Sequence, residues 1–506
     1  MSAASGASWA KDEHREAAVR AAEDQVAEAP EDRRALVAID LGAESCRVSL
    51  LRWIEGQPRI ELVHRFANAP VFSDASAGGD GRLYWDLGRI EAGLYDGLEL
   101  CAELAPEGIR SLAVDGWAVD YVRLDGSGAA VANPFCYRDE RTVAAERAVH
   151  ARMTAEAMRA ITGVQILRIN TVYQLFADEE EVKRLRWLNL PEYVLHRLGG
   201  LPVAELTNAT HTQMVDLANR DWSEEIVDAL GFSAECFPPI VAPGTDVGKL
   251  HGPLTKYAAF RQTRLIAPAC HDTASAIAGI PDSGDDWAYI SSGTWSLVGT
   301  VLDEAVNDAA ARAENFTNLG AAGGRVCFHK NVNGMWLLRQ CMASWATEKE
   351  FTVPELIAMA EAMPQPEFLL VVDEAELLLP GEMPVRINAQ LRRRRLPEFK
   401  RGAEDAAAIT ALLFHSLAAR YAEVLGKIEA ITGKLLRRVY VVGGGSRNAL
   451  LNRLTATATG LEVVAGSAES STMGNFAVQL AAGEGTPASA GAIGRWARVL
   501  FSARTA

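Results

Sequence analysis

From residue 35 the chain alternates. In RALVAIDLG, Val37, Ile39 and Leu41 fall on one face and Ala38, Asp40 and Gly42 on the other, the period of two that predicts a strand. CRVSLLRW reads as the returning strand and IELVHRFAN as a third, so three strands at this spacing predict an antiparallel meander. DLGRIEAGLYDGLELCAEL then carries apolar residues at helical spacing, and IRSLAVDGWAVDYVRLDGSG reads as strand, break, strand, closed by an Asp-Gly-Ser-Gly turn. The first unit is a mixed α/β core.

Between about 135 and 265 the pattern is more helical. RTVAAERAVHARMTAEAMRAITG predicts an amphipathic helical stretch ending at Gly163, and TVYQLFADEEEVKRLRWLNL another, stopped before Pro191. A further helix is expected to open at Asp221-Trp222-Ser223. Near 286 the opening pattern returns: DWAYISSGTWSLVGTVLD is again strand, tight turn, strand, mirroring LVAIDLGAESCRVSLLRW. AAAITALLFHSLAARYAEVLGKIEAITG predicts a long amphipathic helix. RRVYVVGGGSRNALLNRLTATATG follows as strand, glycine turn, helix, LEVVAG as a short strand and GNFAVQLAAGEG as a closing helix. The chain reads as duplicated in architecture rather than in sequence, and two α/β halves with a ligand cleft between them is the economical arrangement.

Composition narrows the chemistry. Of 506 residues, 49% are hydrophobic and 23% charged, enough for large cores without staples. A net charge of −15 argues against nucleic acid and against an anionic membrane as partners. An anionic nucleotide would then need local backbone donors, a cation or a few arginines. The seven cysteines are scattered with no C-x-x-C pair, as expected of a reduced, cytoplasmic protein. No apolar run approaches the roughly 18 residues of a membrane span. Residues 1–34, rich in Ala, Glu, Asp and Arg, read as an acidic extension, disordered or a solvated helix. The basic run LRRRRLPEFKRG reads as a solvated connector in a loop.

Four short stretches could carry chemistry. In DLGAES the backbone turns at Gly42 and Ala43, where N–H groups can converge on phosphate oxygens. Asp40, on the strand leading in, could hold Mg²⁺, which is commonly bound by one or two carboxylates plus phosphate; a β-hairpin with a turn-capping aspartate is the plain alternative. SSGTWS, with Ser291, Ser292, Gly293 and Thr294, offers the same chemistry at the second hairpin tip. VVGGGSRN follows a strand and opens a helix, whose N-terminus favours anions. A dinucleotide site would want glycine where Asn448 stands and an acid at the end of the next strand, whereas Glu462 lies at its beginning. In APACHDTASAIAGIP, Asp272 sits between an apolar run and a small-residue helix, either as an N-cap or as a general base accepting a hydroxyl proton during phosphoryl transfer.

These stretches occur in order with DGWAVDYVRLD, NPFCYRDERT, NTVYQLFA, LTNATHTQMVDL, PGTDVGKL, KNVNGMWLLRQ and VVGGGSRNALLNRLTA. From about 35 to about 485 the chain resembles the FGGY carbohydrate kinase family, most closely its branch acting on L-rhamnulose. The resemblance implies an α/β fold of two actin-like (ribonuclease H-like) domains around a central cleft. Residues 35–280 would form an N-terminal sugar-binding domain and 281–490 a C-terminal nucleotide-binding domain, leaving a tail at 491–506. It implies ATP- and Mg²⁺-dependent phosphorylation of a small-molecule ketose, L-rhamnulose, at its 1-hydroxyl, by a monomer or homodimer. By position Asp272 corresponds to the proton acceptor, and His271, Thr273, Asn331 and the loop at Ala118 to sugar contacts. Ala43, Glu44, Ser45, Cys46 and Arg47 correspond to the first phosphate loop, Thr294 to the second, Gly443, Gly444 and Gly445 to the adenosine site, and Asp40 to the acid associated with Mg²⁺.

Three departures stand out. The family branch usually reads S-S-G-R where Glu44-Ser45-Cys46-Arg47 stands, so Glu44 adds charge beside ATP and Cys46 replaces a glycine. Gly116 and Ala118 stand in D-G-W-A-V-D where D-T-W-G-V-D is usual, and a methyl at 118 would narrow the sugar pocket if it points inward. Arg339 stands where a Gln is common near the nucleotide. Two alternatives stay open: a kinase for another ketose, L-fuculose or a xylulose, and a non-catalytic actin-like nucleotide-binding protein. Trp117, beside the loop, is expected in the core.

Overall fold

The computed structural model describes residues 30–281, 284–400 and 402–505, so most of the expected acidic extension lies outside the described residues. Strands β1 (Ala35–Leu41), β2 (Ser45–Ile54) and β3 (Gln57–Ala67) form the expected meander, and helix α1 (Leu87–Leu104) follows. β4 (Ile109–Gly116), β5 (Thr245–Lys249) and β6 (Arg264–Ala267) complete a first sheet in the order β5-β6-β4-β1-β2-β3. The second sheet holds β7 (Trp287–Ser292), β8 (Trp295–Leu302), β9 (Thr317–Gly320), β10 (Val326–Asn333), β11 (Arg438–Val442) and β12 (Glu462–Ala465), in the order β9-β10-β8-β7-β11-β12.

Leaving aside the edge strands β5 and β9, the two orders coincide. In each, the first strand pairs antiparallel with the second and parallel with the fourth, and the fifth runs parallel to the fourth. This is the ribonuclease H-like topology met twice, the two-domain actin-like arrangement, and the duplication inferred from the two hairpins is real at the level of connectivity.

β1 is buried on both faces. Val37, Ile39 and Leu41 enter the core under α1, while Leu36 and Ala38 lie beneath two helices from the far end of the chain, α5 (Ser470–Ala482) and α6 (Ala490–Thr505). The lobes exchange helices. α2 (Asp272–Ala278), which follows the first sheet, places Ala276 and Ile277 against Trp287, Tyr289 and Tyr440 of the second, while α5, which follows the second sheet, lies on the first. α2 and α5 cross where Gly279 and Gly474 let backbone approach backbone: a Cβ on Gly474 would lie 1.7 Å from the Ser275 carbonyl oxygen.

The segment read as a tail from 491 is, over its described part, helix α6, with Trp496 and Leu500 buried against the first-lobe core. Pro191 opens a helix (Leu190–Arg197) rather than stopping one; its missing N–H is no loss in a first turn. The helix expected before it is two short turns, and Arg186–Asn189 is a strand paired with Tyr121–Leu124. The stretch ending at Gly163 is two helices, the second capped by Thr154 and closed by Gly163 in the left-handed conformation. Part of the basic run is helical as well: Leu391–Arg393 end a helix, and Arg392 and Arg393 pair with Glu398, Glu374 and Glu376. α3 (Ala406–Thr432), the expected long helix, carries an apolar window long enough to span a bilayer, but 67% of it is buried inside the second lobe.

Candidate active site

Two carboxylates sit side by side where β1 and β4 end. Asp40 and Asp115 are register partners in this parallel pair. Asp40 is 4% exposed and accepts from Arg47 Nη1 at 2.9 Å, its cross-strand partner on β2, and from Ser471 Oγ at 3.0 Å. Asp115 Oδ2 accepts from Asn475 Nδ2 at 2.6 Å; its Oδ1 is buried with no partner among the described residues. Burial raises both carboxyls above their ordinary value; Arg47 opposes this at Asp40, while the Asp40 charge adds to it at Asp115. Ser471, Asn475 and Gln479, four residues apart, form one polar stripe of α5. Gln479 completes it by donating to the Val37 carbonyl at 3.0 Å and accepting from Ser111 at 2.6 Å. Strand ends that carry the site are thereby hydrogen-bonded to a helix that comes from the other half of the sequence.

Asp272 joins them from the adjacent strand connection. The Gly116 N–H donates to the Cys270 carbonyl at 2.9 Å, bridging the end of β4 to His271. His271 is the N-cap residue of α2 and Asp272 the first helical residue, so Asp272 does not cap the helix. Thr273 Oγ1 donates to Asp272 Oδ1 at 3.2 Å, and His271 Nε2 lies 3.3 Å from the same oxygen. The carboxylate is set deep among protein groups, yet 37% of its side chain is exposed. Burial first, then the charge of Asp40, pushes its pKa up to about 7, where a general base for neutral pH belongs. His271 is held neutral, its pKa driven down to about 3 chiefly by burial.

The β1–β2 turn is built tightly. A side chain at Gly42 would meet the Ser45 carbonyl at 2.4 Å. Asn68 pins the turn, its side-chain amide donating to the Gly42 carbonyl and its N–H to the Glu44 carbonyl, both at 3.0 Å. Ser45 Oγ accepts from Arg65 of β3 at 3.2 and 3.1 Å. Cys46 is fully buried in the first-lobe core and its thiol is pushed up to about 12, chiefly by burial. Its side chain is a packing group, so only its backbone can face the cleft. Arg47 also reaches Glu469 at 3.4 Å.

In the second lobe, Thr294 lies in the β7–β8 turn, where its carbonyl accepts from the Trp336 N–H at 3.1 Å. The glycine turn follows β11, the parallel neighbour of β7, and leads into helix α4 (Ala449–Thr459). Cβ atoms on Gly443 and Gly445 would meet Ser292 at 3.0 and 2.0 Å, so these two glycines let the turn pack on β7; Gly444 is exposed with nothing close to it. Asn331, on β10, donates to Gln165 Oε1 at 2.7 Å. Arg339 pairs with Glu44 across the cleft, bringing together two of the residues that depart from the usual family pattern.

Ala118 lies on a rigid loop. Val119, next to it, has φ +74, a strained value for a β-branched residue. Its carbonyl accepts from Thr171 Oγ1 at 2.8 Å and Gln174 at 3.2 Å. Asp120 is buried and accepts from Trp85, Trp117, Tyr137 and Gln174 at 2.6, 3.0, 3.2 and 3.1 Å. Trp117 packs on Trp85 with ring centroids 4.5 Å apart, in the core as expected. Four neighbouring residues went unread in the sequence: Asp115, Arg65, Gln165 and His211. Only Asp115 had a signal, since AVDG repeats the strand-ending acid of AIDLG.

The doubled topology and the carboxylates gathered at its strand ends define a class. Residues 35–279 match the N-terminal domain and 288–483 the C-terminal domain of the FGGY family of carbohydrate kinases, and the chain belongs to that family: it is a carbohydrate kinase. Among individual proteins it is 35% identical to the rhamnulokinase of Enterococcus faecalis over 458 residues, covering 89% of this chain and 90% of that one. It is 37% identical to the rhamnulokinase of Pectobacterium carotovorum over 459 residues, 88% of each. In fold it is similar to a ligand-bound xylulose kinase from Lactobacillus acidophilus, with a TM-score of 0.75 at 15% identity over 91% of this chain and 92% of that one. It is also similar to Plasmodium falciparum glycerol kinase with ADP, with a TM-score of 0.67 at 13% identity over 88% of both chains.

Proposed function

We propose that the chain transfers the γ-phosphoryl group of ATP to the 1-hydroxyl of L-rhamnulose. The observation that carries this reading is Asp272: a cleft carboxylate between the two lobes, basic enough at about 7 to take a hydroxyl proton. Relatives named for rhamnulose phosphorylation and spanning nearly the whole chain support the choice of sugar. The sugar hydroxyl approaches Asp272, which accepts its proton as the oxygen attacks phosphorus and the bond to ADP breaks. Backbone N–H groups of the Gly42–Ser45 turn and of Thr294 meet phosphate oxygens, while the Gly293 N–H closes its own turn by donating to the Trp295 carbonyl at 2.8 Å. His271, Thr273 and Asn331 orient the sugar, and Gly443–Gly445 lie against the adenosine.

Mg²⁺ fits this site. No three acidic or histidine side chains among the described residues converge to hold a metal by themselves. Mg²⁺ is commonly bound by one or two carboxylates plus substrate phosphates, and Asp40, beside the unpartnered Oδ1 of Asp115, offers oxygen donors of that kind. Bound there with ATP, Mg²⁺ would neutralise phosphate charge. Seven cysteines, all free and buried, suit a reducing cytoplasm.

A panel of ketoses with ATP tests the reading: L-rhamnulose is expected to have the highest kcat/KM, and a better L-fuculose or xylulose would overturn it in favour of a pocket reshaped at Ala118. Removing the charge at Glu44 tests the nucleotide side. Glu44→Gln frees Arg339 for phosphate, and because an exposed ion pair is worth about 0.2–1 kcal/mol, KM for ATP should fall no more than about fivefold. An unchanged KM for ATP would place the pair outside the nucleotide site.

A further inference from the structure

We propose that His211 is a positioning residue for sugar phosphorylation, a hydrogen-bond donor that holds the ring of His271 with its Nε2 towards Asp272. The inference rests on the function proposed above and concerns a residue to which that function assigns no role.

The segment Glu205–His211 grips the chain just before Asp272 at three points. Glu205 Oε2 accepts from the Cys270 N–H at 2.8 Å, Thr207 Oγ1 accepts from the His271 N–H at 3.2 Å, and His211 Nε2 lies 3.0 Å from His271 Nδ1. The two imidazole centroids are 4.0 Å apart. The backbone of His271 is therefore fixed, and the remaining freedom is the rotation and tautomer of its ring.

Burial keeps both rings neutral. A neutral imidazole has one N–H and one lone pair, and a carboxylate only accepts. With His271 Nε2 3.3 Å from Asp272 Oδ1, the favourable tautomer carries its hydrogen on Nε2. Nδ1 of His271 is then the acceptor, and His211 Nε2 must donate to it. The contacts run one way: His211 donates to His271, whose Nε2–H faces the Asp272 carboxylate. Without the His211 donor, Nδ1 of His271 is an acceptor with no partner and the ring is free to turn. Nε2–H then leaves the carboxylate, and the base loses a group that holds its line to the sugar. The third histidine nearby, His329, pairs with Tyr289 at 3.1 Å and stands outside this chain of donors.

The test uses the full chain and two variants, His211→Ala, which has no donor, and His211→Gln, which offers an amide N–H. Long-range ¹H–¹⁵N spectra should show His271 protonated on Nε2 in the parent, with its bare Nδ1 signal displaced by the bond from His211; that displacement should persist in His211→Gln and be lost in His211→Ala. With the best ketose of the panel, His211→Ala should lose about 10- to 100-fold in kcat, the range for removing a partner that orients a functional imidazole. KM for ATP should not move, and His211→Gln should recover to within about fivefold of the parent. An Nδ1–H tautomer in the parent, an Nδ1 signal that does not move in His211→Ala, or a His211→Gln variant as slow as His211→Ala would overturn the proposal. The spectra need no substrate, so they decide the role of His211 even if no ketose in the panel is phosphorylated, an outcome that would instead remove the sugar assignment.

Discussion

Asp272→Asn should lower kcat by about 10²- to 10⁴-fold, the usual contribution of a positioned general base, while KM for ATP stays within about twofold. Asparagine keeps the size of the side chain and the hydrogen bond from Thr273, so what is lost is the capacity to take a proton. The parent should also show the titration of this base. Burial and the neighbouring Asp40 hold the Asp272 pKa up at about 7 against an ordinary 3.8. The reactive form is the carboxylate, so kcat should fall about tenfold per pH unit below 7, where a base of ordinary pKa would stay flat to near 4. Turnover retained in Asp272→Asn would remove Asp272 as the base, and a flat parent profile would remove its raised pKa.

The same shift has a consequence for stability, with a definite sign. A group whose folded pKa lies above its unfolded value contributes stability at pH below the unfolded value, and that contribution is lost as pH rises through the folded one. For Asp272 the loss runs from 3.8 to about 7. Above pH 7 the parent holds an ionised carboxylate deep in the cleft, next to Asp40, at a cost that Asp272→Asn does not carry. The variant should therefore melt higher than the parent at pH 8, with the gap closing as pH falls. Loss of activity together with a gain in stability separates a functional site from a structural one.

What could be read from the chain was local. The β1–β2 and β7–β8 hairpins show as period-two runs joined at Gly42 and Gly293, and a strand-ending acid shows as a break in an apolar run. The glycine turn at Gly443–Gly445 was legible as a turn, but not its reason, since two of its glycines accommodate Ser292, about 150 residues earlier. Cys46, odd in a phosphate loop, is explained by a core that only the folded first lobe reveals. His211 sits in a polar stretch without periodicity, and its role arises from a partner sixty residues on. The exchange of α2 and α5 was beyond reach for the same reason. α2 reads as a run of small residues and α5 as a closing helix, and small residues record a close approach without naming the partner.

That close approach supports the strongest structural prediction. Gly474→Ala should destabilise the protein and reduce kcat/KM by about 10²-fold. A Cβ at 474 would lie 1.7 Å from the Ser275 carbonyl oxygen, 2.7 Å from its carbon and 2.8 Å from the Gly279 nitrogen, all backbone atoms of the chain through and just past α2. No rotamer change can relieve the contact, so α2 and α5 must part by more than an ångström. Alanine is favoured over glycine in a helix by about 1 kcal/mol, but overpacking costs about 1–3 kcal/mol and sometimes more, and here the backbone contact decides the sign. The effect on activity follows from what each helix carries. α2 begins at Asp272, and α5 brings Ser471 to Asp40 and Asn475 to Asp115. Separating them moves Asp272, the proposed base, relative to Asp40 and Asp115, and an error of about 1 Å in a catalytic site can cost about 10²-fold. The same substitution at Gly426, exposed in the middle of α3 with nothing within 4 Å, meets no such contact. Gly426→Ala should raise stability by about 1 kcal/mol and leave kcat unchanged. Denaturant unfolding and steady-state kinetics on the two variants compare one added methyl in two helices, and a Gly474→Ala protein as stable and active as Gly426→Ala would show that the crossing of α2 and α5 is not as close as 1.7 Å requires.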